Sequence, residues 1–247
     1  MTASEEQGER GVRPARLRSP GATPEDLARD RERALALTLV SRETMARLDR
    51  FVALLLDWQR RVNLIAPSTE PVLWTRHIAD SLQLLPLAPD ARIWADFGSG
   101  AGFPGLAIAC ALAEKPGARI YLVESNTRKA AFLREAVRIA EAPAVVRNEP
   151  AQDFVRAAPE PIEVVTARAL APLSDLLTMA SPLLIKGAAG LFPKGQNVEA
   201  ELTEAAKYWR VQATLVPSRT DPSSRIVVVR GLQAVPKRHS QKVRNKR

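Results

Sequence analysis

An acid closing a short apolar segment, followed by glycine at every second position, is the part of this chain best suited to chemistry. It reads Ile93-Trp94-Ala95-Asp96-Phe97-Gly98-Ser99-Gly100-Ala101-Gly102-Phe103-Pro104-Gly105. Glycines there let the backbone reach φ > 0 and let a ligand approach with no Cβ in the way. Strand, glycine loop and helix in that order form a nucleotide-type cofactor site. Gly100 to Gly105 also satisfies the dinucleotide fingerprint G-x-G-x-x-G, and an ordinary strand–turn–helix connection would look similar. Two details favour S-adenosylmethionine over NAD. A dinucleotide sets its pyrophosphate on the helix N-terminus, and Asp96 would hold a negative charge beside it. At about 4 Å such a pair repels by about 4 kcal/mol in an effective dielectric of about 20. S-adenosylmethionine carries a sulfonium and an ammonium, so the same carboxylate attracts it. The second detail is the register, Asp-x-Gly-x-Gly-x-Gly from Asp96 to Gly102.

Further polar residues close other apolar segments. Ile120 to Val123 ends at Glu124, 22 residues after Gly102, where an acid can accept both ribose hydroxyl protons. The third segment is followed by Ala151-Gln152-Asp153, where a backbone amide and a polar side chain could meet an adenine edge. The fourth ends at Arg168 and the fifth at Lys194. Each of Glu124, Arg168 and Lys194 alone could be only a solvated charge, and their coincidence on one edge is the stronger argument. His77, beside Arg76 and near Asp80, reads as a hydrogen-bonded structural histidine before it reads as a base. Cys110, the only cysteine, falls on an apolar helix face and is no nucleophile. With two histidines besides, no zinc centre is expected. No Asn-Pro-Pro-aromatic motif is present to place an exocyclic amine, and no cysteine to attack a pyrimidine. A guanine N7 needs neither, because its lone pair is free and carries no proton.

These residues need a scaffold that aligns strand ends. From residue 91 onward, strand candidates 91–96, 119–124, 144–147, 162–167, 187–192, 210–216 and 225–231 alternate with helical stretches 104–114, 127–141, 172–184 and 197–208. Such alternation means a mostly parallel sheet covered on both faces. The last two strands are joined by a short loop and should form an antiparallel hairpin at the sheet edge. The expected fold is α/β, a Rossmann-like seven-stranded class I methyltransferase domain over residues 89–233. Residues 24–88 are expected to form a cap of three helices, started by Thr23, Ser41 and Thr69. The four tryptophans, Trp58, Trp74, Trp94 and Trp209, read as core.

Residues 1–23 are expected to be disordered, as is a basic tail at 234–247. From residue 237 on, the tail holds six basic residues and no acids, out of a net charge of +9. It reads equally as a nucleic-acid arm or as a solvated terminus. No secretion signal or membrane span is visible, so a cytoplasmic protein is expected.

The set Arg76-His77-Ile78-Ala79-Asp80-Ser81, Asp96 to Gly105, Glu124-Ser125 with Lys129, Ala167-Arg168-Ala169 and Lys194-Gly195 resembles the ribosomal RNA small-subunit methyltransferase G family. That family is also called glucose-inhibited division protein B. The resemblance covers roughly residues 44 to 231. It implies methylation of N7 of one guanine, guanine-527, in the 530 loop of 16S rRNA, in the 30S subunit or an assembly intermediate, by a monomer. It also implies cofactor contacts at Gly98, Phe103, Ala151, Gln152 and Arg168, which join Asp96, Gly100, Gly102 and Glu124 from the reading above. Arg168 and Lys194 would face the transferring methyl group or RNA phosphates. Rival readings are a methyltransferase of small molecules and a non-enzymatic RNA-binding protein that keeps the cofactor fold.

Overall fold

The computed structural model describes residues 22–236; the expected N-terminal extension, up to residue 21, and the basic run from Lys237 lie outside them. Helix α1 (Pro24–Leu37) starts where a capping box forms: Thr23 and Asp26 exchange backbone and side-chain hydrogen bonds, and Pro24 lacks the amide that the first turn would leave unpaired. Helix α2 (Arg42–Gln59) is capped by the Ser41 hydroxyl, which accepts from the Thr44 amide. Leu48, Phe51, Val52 and Leu55 recur at helical spacing along α2 and are all buried.

The third helix departs from expectation. Residues Pro67–Val72 form a 3-10 turn, Trp74–Ala79 a π-helical turn, and Asp80–Leu82 a short α-helical end (α3). Thr69 does not cap it, because its hydroxyl donates to the Ala66 carbonyl at 2.7 Å. Asp30 of α1 does that work instead: its buried carboxylate accepts from the Thr75 amide at 3.0 Å and the Thr75 hydroxyl at 2.5 Å. The signal comes from 45 residues upstream, so a local reading chose the nearest hydroxyl.

Seven strands form one sheet in the order β3-β2-β1-β4-β5-β7-β6. They are β1 (Ile93–Phe97), β2 (Arg119–Val123), β3 (Ala144–Arg147), β4 (Val164–Ala167), β5 (Ala189–Lys194), β6 (Trp209–Pro217) and β7 (Arg225–Ala234). The first five are parallel, and β7 enters antiparallel between β5 and β6. Successive strand residues feed opposite faces. Trp94, Ile120, Leu122 and Val164 pack with α1, α2, α4 (Gly105–Leu112) and α5 (Thr127–Ala140). Ala95, Phe97, Tyr121, Val123 and Val165 pack with α6 (Ala151–Arg156), α7 (Leu173–Leu184) and α8 (Val198–Ala205). The first core runs without a break from the N-terminal helices into the sheet. Strand order reverses between β1 and β4, and ligands bind over the carboxyl ends at such a point.

Two smaller expectations need correction. Trp58 and Trp209 are only half-buried, because each indole N–H reaches a polar partner, Glu135 and Thr178 respectively. Residues 151–153 open helix α6, which the expected helical stretches leave out.

Candidate active site

The glycine loop between β1 and α4 is shaped by three positive φ values, +66° at Gly98, +52° at Gly100 and +91° at Gly102. Side chains would also collide there. A Cβ at Gly98 would sit 2.7 Å from Leu170, and one at Gly102 would sit 2.9 Å from the Phe51 ring of α2. The cap therefore forms the floor of the loop. Asp96 is fully buried at the end of β1, and its Oδ2 accepts from the Gly105 amide at 3.1 Å. A Cβ at Gly105 would lie 2.7 Å from that carboxylate. The protein's own carboxylate thus fills the anion position at the start of α4, where a pyrophosphate would sit. Burial pushes the Asp96 pKa up to about 7. Its Oδ1 has no partner among the described residues.

Glu124 follows β2 and faces the same loop. Its Oε2 accepts from the Gly100 amide at 2.9 Å and its Oε1 from the Asn126 amide at 2.7 Å, which leaves one lone pair on each oxygen. Asn148, not singled out in the sequence, ties the end of β3 to this corner through the Glu124 and Ser125 carbonyls. Ala151 is buried and Gln152 exposed in the first turn of α6.

Arg168 follows β4 directly and is the centre of a third cluster. Its Nη1 donates to the Arg76 carbonyl at 3.1 Å and to Asp80 Oδ2 at 3.2 Å, and its Nη2 meets His77 Nδ1 at 2.7 Å. The guanidinium lies 5.3 Å from the Phe103 ring centroid, and the His77 ring stacks on Phe103 at 4.9 Å. A guanidinium only donates, so Nδ1 accepts; Nε2 then carries the proton and donates to the Thr69 hydroxyl at 2.9 Å. Burial first, then Arg168 and Arg76, lower the His77 pKa to about 3. His77 is a fixed neutral strut under Arg168. Ala169, next in the chain, is held at φ +54°, a left-handed conformation that alanine rarely adopts.

Lys194 ends β5. Its Nζ donates to the Ala171 carbonyl at 2.7 Å and pairs with Glu201 Oε2 at 2.8 Å. Arg76, Arg168, Lys194 and Arg225 all line one pocket of ≈ 270 Å³. The loop between β6 and β7 forms its far wall, held by a buried glutamine that sequence reasoning passed over. Gln83 accepts from the Arg219 amide at 2.8 Å and donates to Ser218 at 3.2 Å and Asp80 at 2.9 Å, while Asp80 also accepts from Thr220 at 2.7 Å. The structure therefore gathers Asp96, the three glycines, Phe103 and Glu124 around one loop, with Arg168 and Lys194 on the adjoining pocket. Gln152 stands apart on the surface of α6. Cys110 is fully buried in α4, with its thiol pushed up to about 12 by burial.

A family model described as "rRNA small subunit methyltransferase G" matches residues 44–226. The chain belongs to this family. A curated relative of that description from Bradyrhizobium sp. (strain BTAi1 / ATCC BAA-1182) is 59% identical over 203 residues, covering 82% of this chain and 91% of that protein. Another, from Nitrobacter hamburgensis, is 59% identical over 216 residues, covering 87% and 81%. Among solved structures, a cofactor-bound Rv0187 from MTB is similar with a TM-score of 0.53 at 16% identity, covering 84% of this chain and 98% of that one. A putative O-methyltransferase from Klebsiella pneumoniae gives 0.53 at 12% identity, covering 84% and 98%. At such identity these two speak for the fold, the class I methyltransferase sheet with its antiparallel β7. As a member of the methyltransferase G family the chain is an S-adenosylmethionine-dependent enzyme. Its residues fit that cofactor: the α4 anion position is filled by Asp96, whose second oxygen has no partner among the described residues, and a glycine cradle excludes side chains.

Proposed function

We propose that this chain methylates N7 of one guanine, guanine-527, in the 530 loop of 16S rRNA, acting as a cytoplasmic monomer on the 30S subunit or an assembly intermediate. The observation that carries this reading is a pocket beside the glycine loop in which four cations, Arg76, Arg168, Lys194 and Arg225, outnumber two carboxylates, Asp80 and Glu201. A polyanion is drawn to such a mouth, and its affinity falls steeply with salt. When bound, S-adenosylmethionine supplies an electrophilic methyl group on a sulfonium. Asp96 and the loop glycines hold and neutralise that end, Glu124 accepts from ribose hydroxyls, and Ala151, with the backbone of Gln152, borders the adenine. Phe103, stacked on His77, gives Arg168 a fixed platform between cofactor loop and pocket. Arg168 and Lys194 orient the acceptor and stabilise developing charge. N7 has no proton to lose, so positioning suffices, which agrees with a His77 locked as a neutral acceptor.

The test is incubation of purified 30S subunits with methyl-labelled cofactor, followed by mapping of the modified base. Label at N7 of one guanine in the 530 loop is expected. Label elsewhere in the rRNA, or none, overturns the proposal.

A further inference from the structure

The pocket beside Arg168 contains two carboxylates, which is unusual for a surface meant only for phosphates. Asp80 is spent, because Arg168, Gln83 and Thr220 occupy its oxygens. Glu201 is not. On the first turn of α8, its Oε2 takes the Leu173 amide at 2.6 Å and Lys194 Nζ at 2.8 Å, and no donor among the described residues meets its Oε1. Lys194 donates to the Ala171 carbonyl and stands in ion-pair contact with Glu201, which leaves it an N–H for a further acceptor. The pair thus presents one free acceptor and one free donor side by side. Lys194 is 10% exposed and Glu201 27%, so neither is freely hydrated.

Guanine carries the complementary pair on adjacent atoms, the O6 acceptor and the N1–H donor. Adenine carries the reverse at the same places, an N6 amino donor and an N1 acceptor. A pocket of ≈ 270 Å³ at the carboxyl ends of β4 and β5 has room for one extruded base. We infer that the Lys194–Glu201 pair is the base-reading element of the acceptor pocket: Lys194 donates to guanine O6 and Glu201 Oε1 accepts from guanine N1–H. This inference rests on the guanine-N7 reading above and adds the residues that select the base. Glu201 is a specificity residue, and its bond to Leu173 fixes its orientation.

The experiment uses the full chain and 30S subunits reconstituted with either guanine or adenine at the target position. For each enzyme, kcat/KM for methyl transfer is measured on both particles, so any distortion of the particle by adenine is shared. Glu201→Gln is expected to lose roughly tenfold to a hundredfold on guanine, with no loss on adenine, so the guanine preference collapses. Lys194→Met, which leaves the Glu201–Leu173 bond in place, is expected to slow transfer on both particles but more on guanine, so the preference shrinks there too. A fall by equal factors on both particles marks a purely structural role and overturns the inference, as does an undiminished guanine preference in both variants. Wild-type enzyme that leaves the guanine particle unlabelled refutes the underlying function, a result separate from any behaviour of the variants.

Discussion

At the level of single residues, the most informative group is Asp96. Its position before the glycines argued in the sequence against a phosphate-bearing cofactor, and the structure gives that argument a mechanism: the carboxylate itself caps α4 through the Gly105 amide. Burial raises its pKa to about 7, so near neutrality it is partly protonated. A cationic ligand favours the ionised form, and binding therefore releases a proton. S-adenosylmethionine affinity is expected to rise as pH increases through about 7 and then level off, with Asp96→Asn binding weakly and without that slope. Calorimetry across this range checks it, and equal slopes for both proteins would remove Asp96 from the site. The same shift acts on folding. The folded state holds the Asp96 proton up to about 7 while the unfolded carboxyl loses it near 3.8, so this group's stabilisation fades as pH rises through that interval. Arg168 and Lys194 were visible as strand-end charges, whereas Glu201 looked like any solvated helix acid. Nothing in its neighbours reveals that Leu173 and Lys194 hold one oxygen while no donor among the described residues meets the other.

Between residues and the whole lie the loop and helix elements, and here legibility followed range. Thr23 and Ser41 cap the helices that start beside them, and the alternation after residue 91 placed every strand to within about three residues. Thr69 misled because the competing cap, Asp30, lies on another helix. Gln83 gave no sign at all, since its partner Ser218 is 135 residues away. Two predictions belong at this scale. Gly98→Arg adds a side chain where φ is +66° and where even a Cβ meets Leu170 at 2.7 Å. It is expected to abolish cofactor binding, and near-normal affinity by calorimetry would show that the loop does not hold the ligand. Gln83→Leu keeps the burial and removes the bonds to Ser218 and Arg219. The β6–β7 loop should loosen, which raises KM for the RNA particle severalfold while cofactor Kd stays within about twofold. A change confined to cofactor Kd would contradict this account.

For the molecule as a whole, the N-terminal helices and the sheet share one core, so the cap is not a detachable accessory. Leu48, Phe51, Leu55, Leu73, Trp74 and Ile78 are almost wholly buried. Each such side chain contributes about 1.5–3 kcal/mol on burial. Six of them rival the roughly 5–15 kcal/mol that holds a domain folded. A chain beginning at residue 89 is therefore expected to show no cooperative thermal transition where the full chain shows one. Differential scanning calorimetry decides it, and a sharp transition in the shorter piece would make the sheet self-sufficient. The antiparallel entry of β7 has a consequence in time. The glycine loop, its Phe51 floor and Glu124 leave the ribosome early, while the wall that closes the acceptor pocket waits for Ser218 to Arg225. The acceptor pocket is therefore the last part of the site for which the chain supplies its residues, and the strand that brings them also closes the core under the cofactor loop.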